Sequence, residues 1–486
     1  MMALFNIRPV IQILGFLLIL LSFLMTLPVN LLMLGDTPDW LAFVKSASIC
    51  FGVGVVCFYS AGGKRRYALK QRQMFILTVS AWIVIPLFSS LPLLLSDLTL
   101  SVTDAFFESI SGVTTTGSTV MSGLDKLPGD ILLWRSIMQW MGGIGIIGMA
   151  VAILPFLRIG GMRLFATESS EWTEKAVPRT NRLARGLVFS YLALTFSCIF
   201  TYWLLGMDLF NAVNHALTTV STGGYSTSDS SMGQFDELSI LFASSLFMML
   251  GGVPFFLFVR MLYGHSQPLL RDQQVHFFLK FLLLIACLIT LYRIVKEGTF
   301  PVDAFVHALF NVTSVVTTTG YASQDYSLWG PFVVVLFFFL TFVGGCSGST
   351  SGGMKIFRFQ LSMLLLREQV LRLLHPNAVI ARHYNGRIIS DEIVASSVAF
   401  SFIFLATLAV VASILALLGL DLTTSLSGAA TALANVGPGL GDTIGPAGNF
   451  QTLPDPAKWV LMVAMLLGRL ELLSVFVMFS PHFWRS

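Results

Sequence analysis

The chain has 486 residues, 55% of them hydrophobic and 11% charged, with a mean hydropathy of +0.80. A soluble globular domain carries about 25% charged residues, so the composition excludes a soluble enzyme or binding module and indicates a polytopic membrane protein. The formal net charge of +4 is too small to argue for nucleic acid, and five cysteines without C-x-x-C or histidine spacing argue against disulfides and metal sites.

A helix needs about 20 apolar residues to cross a bilayer. Runs of this kind lie at 9–34, 39–60, 73–96, 131–157, 186–206, 238–262, 276–296, 331–372, 393–419 and 457–480, ten expected spans. The first is too long for the apolar core of a cleaved signal and has no small-residue cleavage site. The eighth is too long for one crossing and is expected to break near its middle. Between spans three and four, five and six, seven and eight, and nine and ten lie short half-apolar segments at 103–116, 209–222, 303–319 and 423–436. They are too short to cross and read as re-entrant pore helices. Non-helical backbone at membrane depth is tolerated where it is buried or lines a cavity.

The expected fold is an all-α polytopic membrane protein. An N-terminal helix pair, 1–62, precedes four span–pore helix–span repeats at 63–165, 166–265, 266–380 and 381–486, in a pseudo-fourfold arrangement around one pore. Of the 29 Lys and Arg, 21 fall on one side of this topology, including five between Lys64 and Arg72 and six between Lys355 and Arg387. That side is expected to be cytoplasmic and to hold both termini. The opposite loops are rich in aspartate, which would concentrate cations at the mouth.

Each pore helix ends in a related polar stretch. The ring candidates are Thr115, Thr116 and Gly117; Ser221, Thr222 and Gly223; Thr318, Thr319 and Gly320; and Asn435, Val436 and Gly437. Glycine permits backbone angles that other residues resist. Carbonyls can then replace the water shell of a cation, as in potassium channel filters. The span after each segment holds a glycine pair or its relic: Gly142-Gly143, Gly251-Gly252, Gly344-Gly345 and Gly468-Arg469. In the third repeat small residues multiply through Gly344, Gly345, Cys346, Ser347, Gly348, Ser349, Thr350, Ser351, Gly352 and Gly353. This stretch cannot hold an ordinary helix in lipid and is expected to form a buried loop below the filter. A charge at the depth of Arg469 is costly and faces a cavity or a partner. Its five donors suit the carbonyls and hydroxyls of the loop, so loop and arginine are read as a gate. A pair with Glu471 is poorly placed, because residues i and i+2 do not share a helix face.

Two motifs are decoys. Gly143-Ile-Gly145-Ile-Ile-Gly148 matches a dinucleotide fingerprint but lies inside a span. Gly345-Cys346-Ser347-Gly348 matches the form seen in intramembrane serine proteases, yet no histidine lies mid-span to activate Ser347.

The four repeats, the T-T-T-G-S, S-T-G-G-Y-S, T-T-T-G-Y and N-V-G-P-G stretches, the Gly/Ser loop and Arg469 together resemble the Trk/Ktr/HKT superfamily of cation transporters. Length and the extra helix pair look like its bacterial Trk-type membrane subunits. The resemblance covers essentially the whole chain. It implies a homodimer in the bacterial inner membrane, with one pore per subunit and K+ as the transported ion. It also implies a cytoplasmic TrkA-type regulator-of-conductance ring that binds nucleotide, since this chain has no nucleotide site or cofactor of its own. Some plant relatives carry serine at the first filter glycine and pass sodium; Gly117 therefore points to potassium. The expected function is potassium uptake through a channel-like pore. The alternatives are a potassium–sodium or potassium–proton symporter, a sodium-permeable channel and, remotely, the protease. Glu471 is the acid that a symporter would use at the midplane.

Overall fold

The computed structural model describes residues 6–31, 38–63, 69–152, 180–265, 267–377 and 380–485. The basic residues Lys64, Arg65, Arg66, Arg158, Arg163, Lys175 and Arg179, and the ends of the expected spans at 32–34 and 153–157, lie outside them.

The chain opens with α1 (Arg8–Met25) and α2 (Trp40–Ser60). Glycines let this pair close up: a Cβ on Gly15 would lie 2.7 Å from the Gly54 carbonyl oxygen. Next come α3 (Gln71–Ser89), the short α4 (Val102–Val113) and α5 (Gly129–Ala152). The same order recurs in α6 (Thr180–Leu204), α7 (Leu209–Val220) and the broken pair α8 (Leu238–Gly251) and α9 (Phe255–Leu262). It recurs again in α10 (Gln273–Glu297), α11 (Pro301–Val316), α12 (Pro331–Leu340) and α13 (Ile356–Leu374). Last come α14 (Asp391–Leu417), α15 (Leu422–Ala434), α16 (Asp455–Arg469) and α17 (Leu473–Phe479). Among the described residues seven helices are long and apolar enough to cross a bilayer, or nine if two sharply bent pairs each count once.

The bends correct two expected spans. The run at 238–262 is not a continuous helix: α8 and α9 meet at 89°. Pro254 has no N–H to continue the ladder, and the freed groups are capped from elsewhere. Gly251 O accepts from Thr350 N at 3.3 Å, Gly252 O accepts from Cys346 N at 2.9 Å, and Phe255 N donates to Gly348 O at 3.0 Å. The run at 457–480 is also broken, with α16 and α17 at 106°. Glu471 and Leu472 make that turn at φ +54 and +39, the left-handed region that side chains resist.

The break expected in the third repeat is present. Between α12 and α13 the chain is a loop closed at its base by parallel pairing of β1 (Val343–Gly344) with β2 (Met354–Lys355). Beyond α13, β3 (His383–Tyr384) and β4 (Arg387–Ile388) form a small hairpin. It packs through Tyr384 with Phe357, Leu361, Ile389 and Val394. Arg382 binds both Glu368 and Asp391.

Candidate functional site

The four short helices α4, α7, α11 and α15 have 12, 12, 16 and 13 residues. At about 1.5 Å per residue none spans a hydrocarbon core of about 30 Å. Three start on a side-chain cap: Ser101, Asp208 and Asp421 accept from Asp104 N, Asn211 N and Thr424 N. The third starts on Pro301, whose missing N–H costs nothing there. All four end just before the ring candidates, so the partial negative charge of each helix C-terminus lies beside them.

The four exits share one backbone. Thr115, Thr222, Thr318 and Asn435 have φ between +51 and +56, and two residues later Gly117, Gly224, Gly320 and Gly437 have φ between +82 and +112. The residue between them donates back into its pore helix each time: Thr116 N to Ser111 O, Gly223 N to Thr218 O, Thr319 N to Ser314 O and Val436 N to Thr431 O. The second segment is therefore shifted by one from the expected register. Gly224, not Gly223, is the counterpart of the other three glycines, because Gly223 takes the place that Thr116 and Thr319 hold elsewhere.

These segments meet head to tail. A Cβ on Gly117 would lie 2.3 Å from Gly223 O; on Gly224, 1.9 Å from Thr319 O; on Gly320, 1.9 Å from Val436 O; on Gly437, 2.8 Å from Thr116 O. Each glycine abuts the same carbonyl of the next segment, and the fourth returns to the first. Side chains at this level fit their surroundings. Thr114 and Thr317 share hydrogen bonds with Thr116 and Thr319 at 2.7 Å. Asn435 donates to Thr116 Oγ1 and to Met465 O, both at 2.9 Å. Outside the ring lies a cavity of about 210 Å³ whose lining includes Gly117, Gly224, Gly320 and Gly437.

A layer behind the ring was not anticipated from the sequence. One position in three of the four pore helices holds the segment that follows the ring. Glu108 accepts from Val120 N at 3.0 Å, His215 bonds Ser226 Oγ at 3.0 Å, and Asn311 donates to Ser323 Oγ at 2.8 Å. Glu108 is buried and paired with buried Arg135 at 2.8 Å. Arg135 also donates to Ser226 O at 3.1 Å and lies 4.1 Å over the Tyr225 ring, which ties the first segment to the second. Tyr225 donates to Glu108 O, and Tyr321 donates to His215 O one repeat on. Gln139 fills the room left by the missing side chain of Gly223, donating to Gly223 O and accepting from Tyr225 N.

The glycine pairs sit below the ring. A Cβ on Gly142 would lie 1.9 Å from Val113 O, on Gly251 3.2 Å from Val220 O, and on Gly468 2.0 Å from Leu433 O, so the first member packs under its own pore helix. The second member leans on the next repeat, Gly143 against Ser221 and Gly252 against Thr317. Arg469 holds this place in the fourth repeat.

The loop from Gly344 to Gly353 runs beneath three of the four segments. Thr350 Oγ1 bonds Gly251 O at 3.0 Å and Val220 O at 3.2 Å, and Thr222 Oγ1 reaches it at 3.2 Å. Ser351 Oγ lies 3.2 Å from Thr318 Oγ1, which also accepts from Gly352 N at 2.6 Å. A Cβ on Gly352 would meet Ala434 O at 2.4 Å. Cys346, Ser347, Ser349, Thr350 and Ser351 are all buried. Arg469, 2% exposed, donates to Thr350 O at 3.0 Å. Glu471 pairs with Arg358 at 2.9 Å instead. Lys355 and Arg358, counted above among the basic loop residues, are buried as well.

The model of the TrkH family, described as a cation transport protein, matches residues 41–486. Over 479 residues the chain is 51% identical to the Trk system potassium uptake protein TrkI of Halomonas elongata, covering 98% of this chain and 97% of that one. It is 38% identical over 489 residues to TrkH of Vibrio parahaemolyticus, covering 99% of both chains. The crystal structure of the potassium transporter TrkH from Vibrio parahaemolyticus superposes with a TM-score of 0.90 at 37% identity, over 98% of this chain and 99% of that one. This chain belongs to the TrkH family of cation transport proteins.

Proposed function

We propose that this chain is the membrane subunit of a Trk-type system and takes up potassium through a channel-like pore. Ten crossings in four repeats surround the ring in pseudo-fourfold order. The observation that carries the reading is the closed cycle in which each of Gly117, Gly224, Gly320 and Gly437 abuts a carbonyl of the next segment. Thr115, Thr116, Gly117, Thr222, Gly223, Gly224, Thr318, Thr319, Gly320, Asn435, Val436 and Gly437 supply the oxygen ligands of the ion. Four pore-helix C-termini favour a cation there. Membrane potential contributes about 2.3 kcal/mol per charge per 100 mV, so accumulation needs no coupled ion. Glu471, the acid a symporter would use, is held by Arg358 at 2.9 Å, which favours the uncoupled reading.

Below the ring, the loop Gly344–Gly353 and Arg469 form the gate. Arg469 latches the loop through Thr350 O and sets a positive charge against entering cations. A homodimer in the bacterial inner membrane, with both termini cytoplasmic, receives a TrkA-type ring. Nucleotide bound by that ring opens the latch through α13. Two experiments test this. Gly117→Ser places an atom 2.3 Å from Gly223 O, and the potassium-to-sodium permeability ratio in proteoliposomes is expected to fall; an unchanged ratio removes Gly117 from the filter. Arg469→Ala is expected to raise partner-free flux, and a folded variant conducting no better than wild type refutes the latch.

A further inference from the structure

Lys355 is 7% exposed, and among the described residues its ammonium makes one hydrogen bond, from Nζ to the Ser351 carbonyl oxygen. No carboxylate lies within ion-pairing distance of it among the described residues; Glu471 is taken by Arg358. This is unusual, because buried charges are normally paired. The oxygen it holds is next in the chain to Thr350 O, which carries the Arg469 guanidinium at 3.0 Å. Two consecutive carbonyls under the ring thus each carry a fixed cation. The same Ser351 places its hydroxyl 3.2 Å from Thr318 Oγ1, at the start of the third ring segment.

We propose that the Lys355 ammonium is a tethered stand-in for the transported ion. It occupies an oxygen site at Ser351, on the inner side of the ring, that a permeant monovalent cation takes when the lysine withdraws. The inference rests on the transport reading above. A lysine ammonium is a compact point charge on a flexible stem, so it can sit at carbonyl oxygens as a monovalent metal ion does and leave by rotation of its own chain. A planar guanidinium such as that of Arg469 cannot mimic a spherical ion in this way. Arg469 fastens the loop, whereas Lys355 fills the ion's place.

The test uses full-length protein. Thallous ion replaces potassium in crystals of wild type, Lys355→Met and Lys355→Arg, and anomalous density locates it. Rubidium uptake into partner-free proteoliposomes is measured alongside. The expected result is thallium among the ring carbonyls in all three proteins, with an added peak beside Ser351 O in Lys355→Met alone. Rubidium flux should rise several-fold in that variant and stay at the wild-type level in Lys355→Arg. Thallium missing from the ring of every protein would instead refute the transport reading itself. With the ring occupied, no added peak and wild-type flux in a folded Lys355→Met overturn the proposal. If Lys355→Met does not fold, Lys355→Gln decides: it keeps a donor for Ser351 O but no charge, so wild-type flux from it likewise overturns the proposal.

Discussion

Removing the charge of Glu108 tests whether the buried pair behind the ring holds the ring segments in place. Its carboxylate accepts from Arg135 Nε at 2.8 Å, from Val120 N at 3.0 Å and from Thr119 Oγ1 at 3.0 Å, with no exposure to solvent. Glu108→Gln keeps the shape but turns one acceptor into a donor that faces these N–H groups. It also leaves the Arg135 charge buried without its counter-charge. Breaking one side of a buried pair costs about 3–5 kcal/mol, and the loss should fall in that range. Replacing both residues by methionine removes the stranded charge, so the double variant should be about 2 kcal/mol or more better than the sum of Glu108→Met and Arg135→Met. Unfolding titrations in mixed detergent micelles measure the cycle, with potassium-dependent protection recorded for each variant. If the two single losses add in the double variant to within about 0.5 kcal/mol, the pair is not coupled and the argument fails.

Two further outcomes follow from the ring geometry. Gly224→Ala would set a Cβ 1.9 Å from a backbone oxygen at φ +82, whereas a Cβ on Gly223 meets the Gln139 side chain, which can move; permeability ratios should therefore suffer more in Gly224→Ala, and the reverse order would restore the unshifted register. Asn435→Ala loses two hydrogen bonds of about 1 kcal/mol each and sets alanine in left-handed backbone at about 1–2 kcal/mol. Asn435→Gly loses the same bonds without that strain, so thermal stability in potassium should rank wild type, glycine, alanine; equal losses for glycine and alanine would refute the backbone part.

Thr-Thr-Gly recurs in the first and third ring segments, and both carry the same backbone angles, because short-range backbone chemistry is written in adjacent residues. The second segment misled because Gly223 and Gly224 are neighbours, and the Thr-Gly match favours the wrong one. Spacing from the preceding valine decides correctly: Val220 to Gly224 equals Val316 to Gly320. The Gly/Ser loop was legible for a similar reason, since no helix survives that composition. The bend at α8 was half visible in Pro254. The bend after α16 was not, because Glu471 and Leu472 give no local sign of positive φ; tertiary contacts impose it. Glu108 and Arg135 lie 27 residues apart on different helices, and no single-chain pattern joins them. The burial of Lys355 and Arg358 was not legible, because hydropathy cannot tell a basic loop from a buried charged turn.

Asn435 has one hand on each of two machines. Its amide joins Thr116 in the ring to Met465, one turn before Arg469 on the same helix. Under the proposed function, any rotation of α16 that frees the arginine pulls on an oxygen-bearing residue of the ring. Binding and release are then thermodynamically reciprocal. An ion that prefers the ring as it stands in the latched state resists opening by the same factor that opening lowers its affinity. Ion choice and conducting state would be two readings of one equilibrium, so discrimination between potassium and sodium should change with the fraction of open channels.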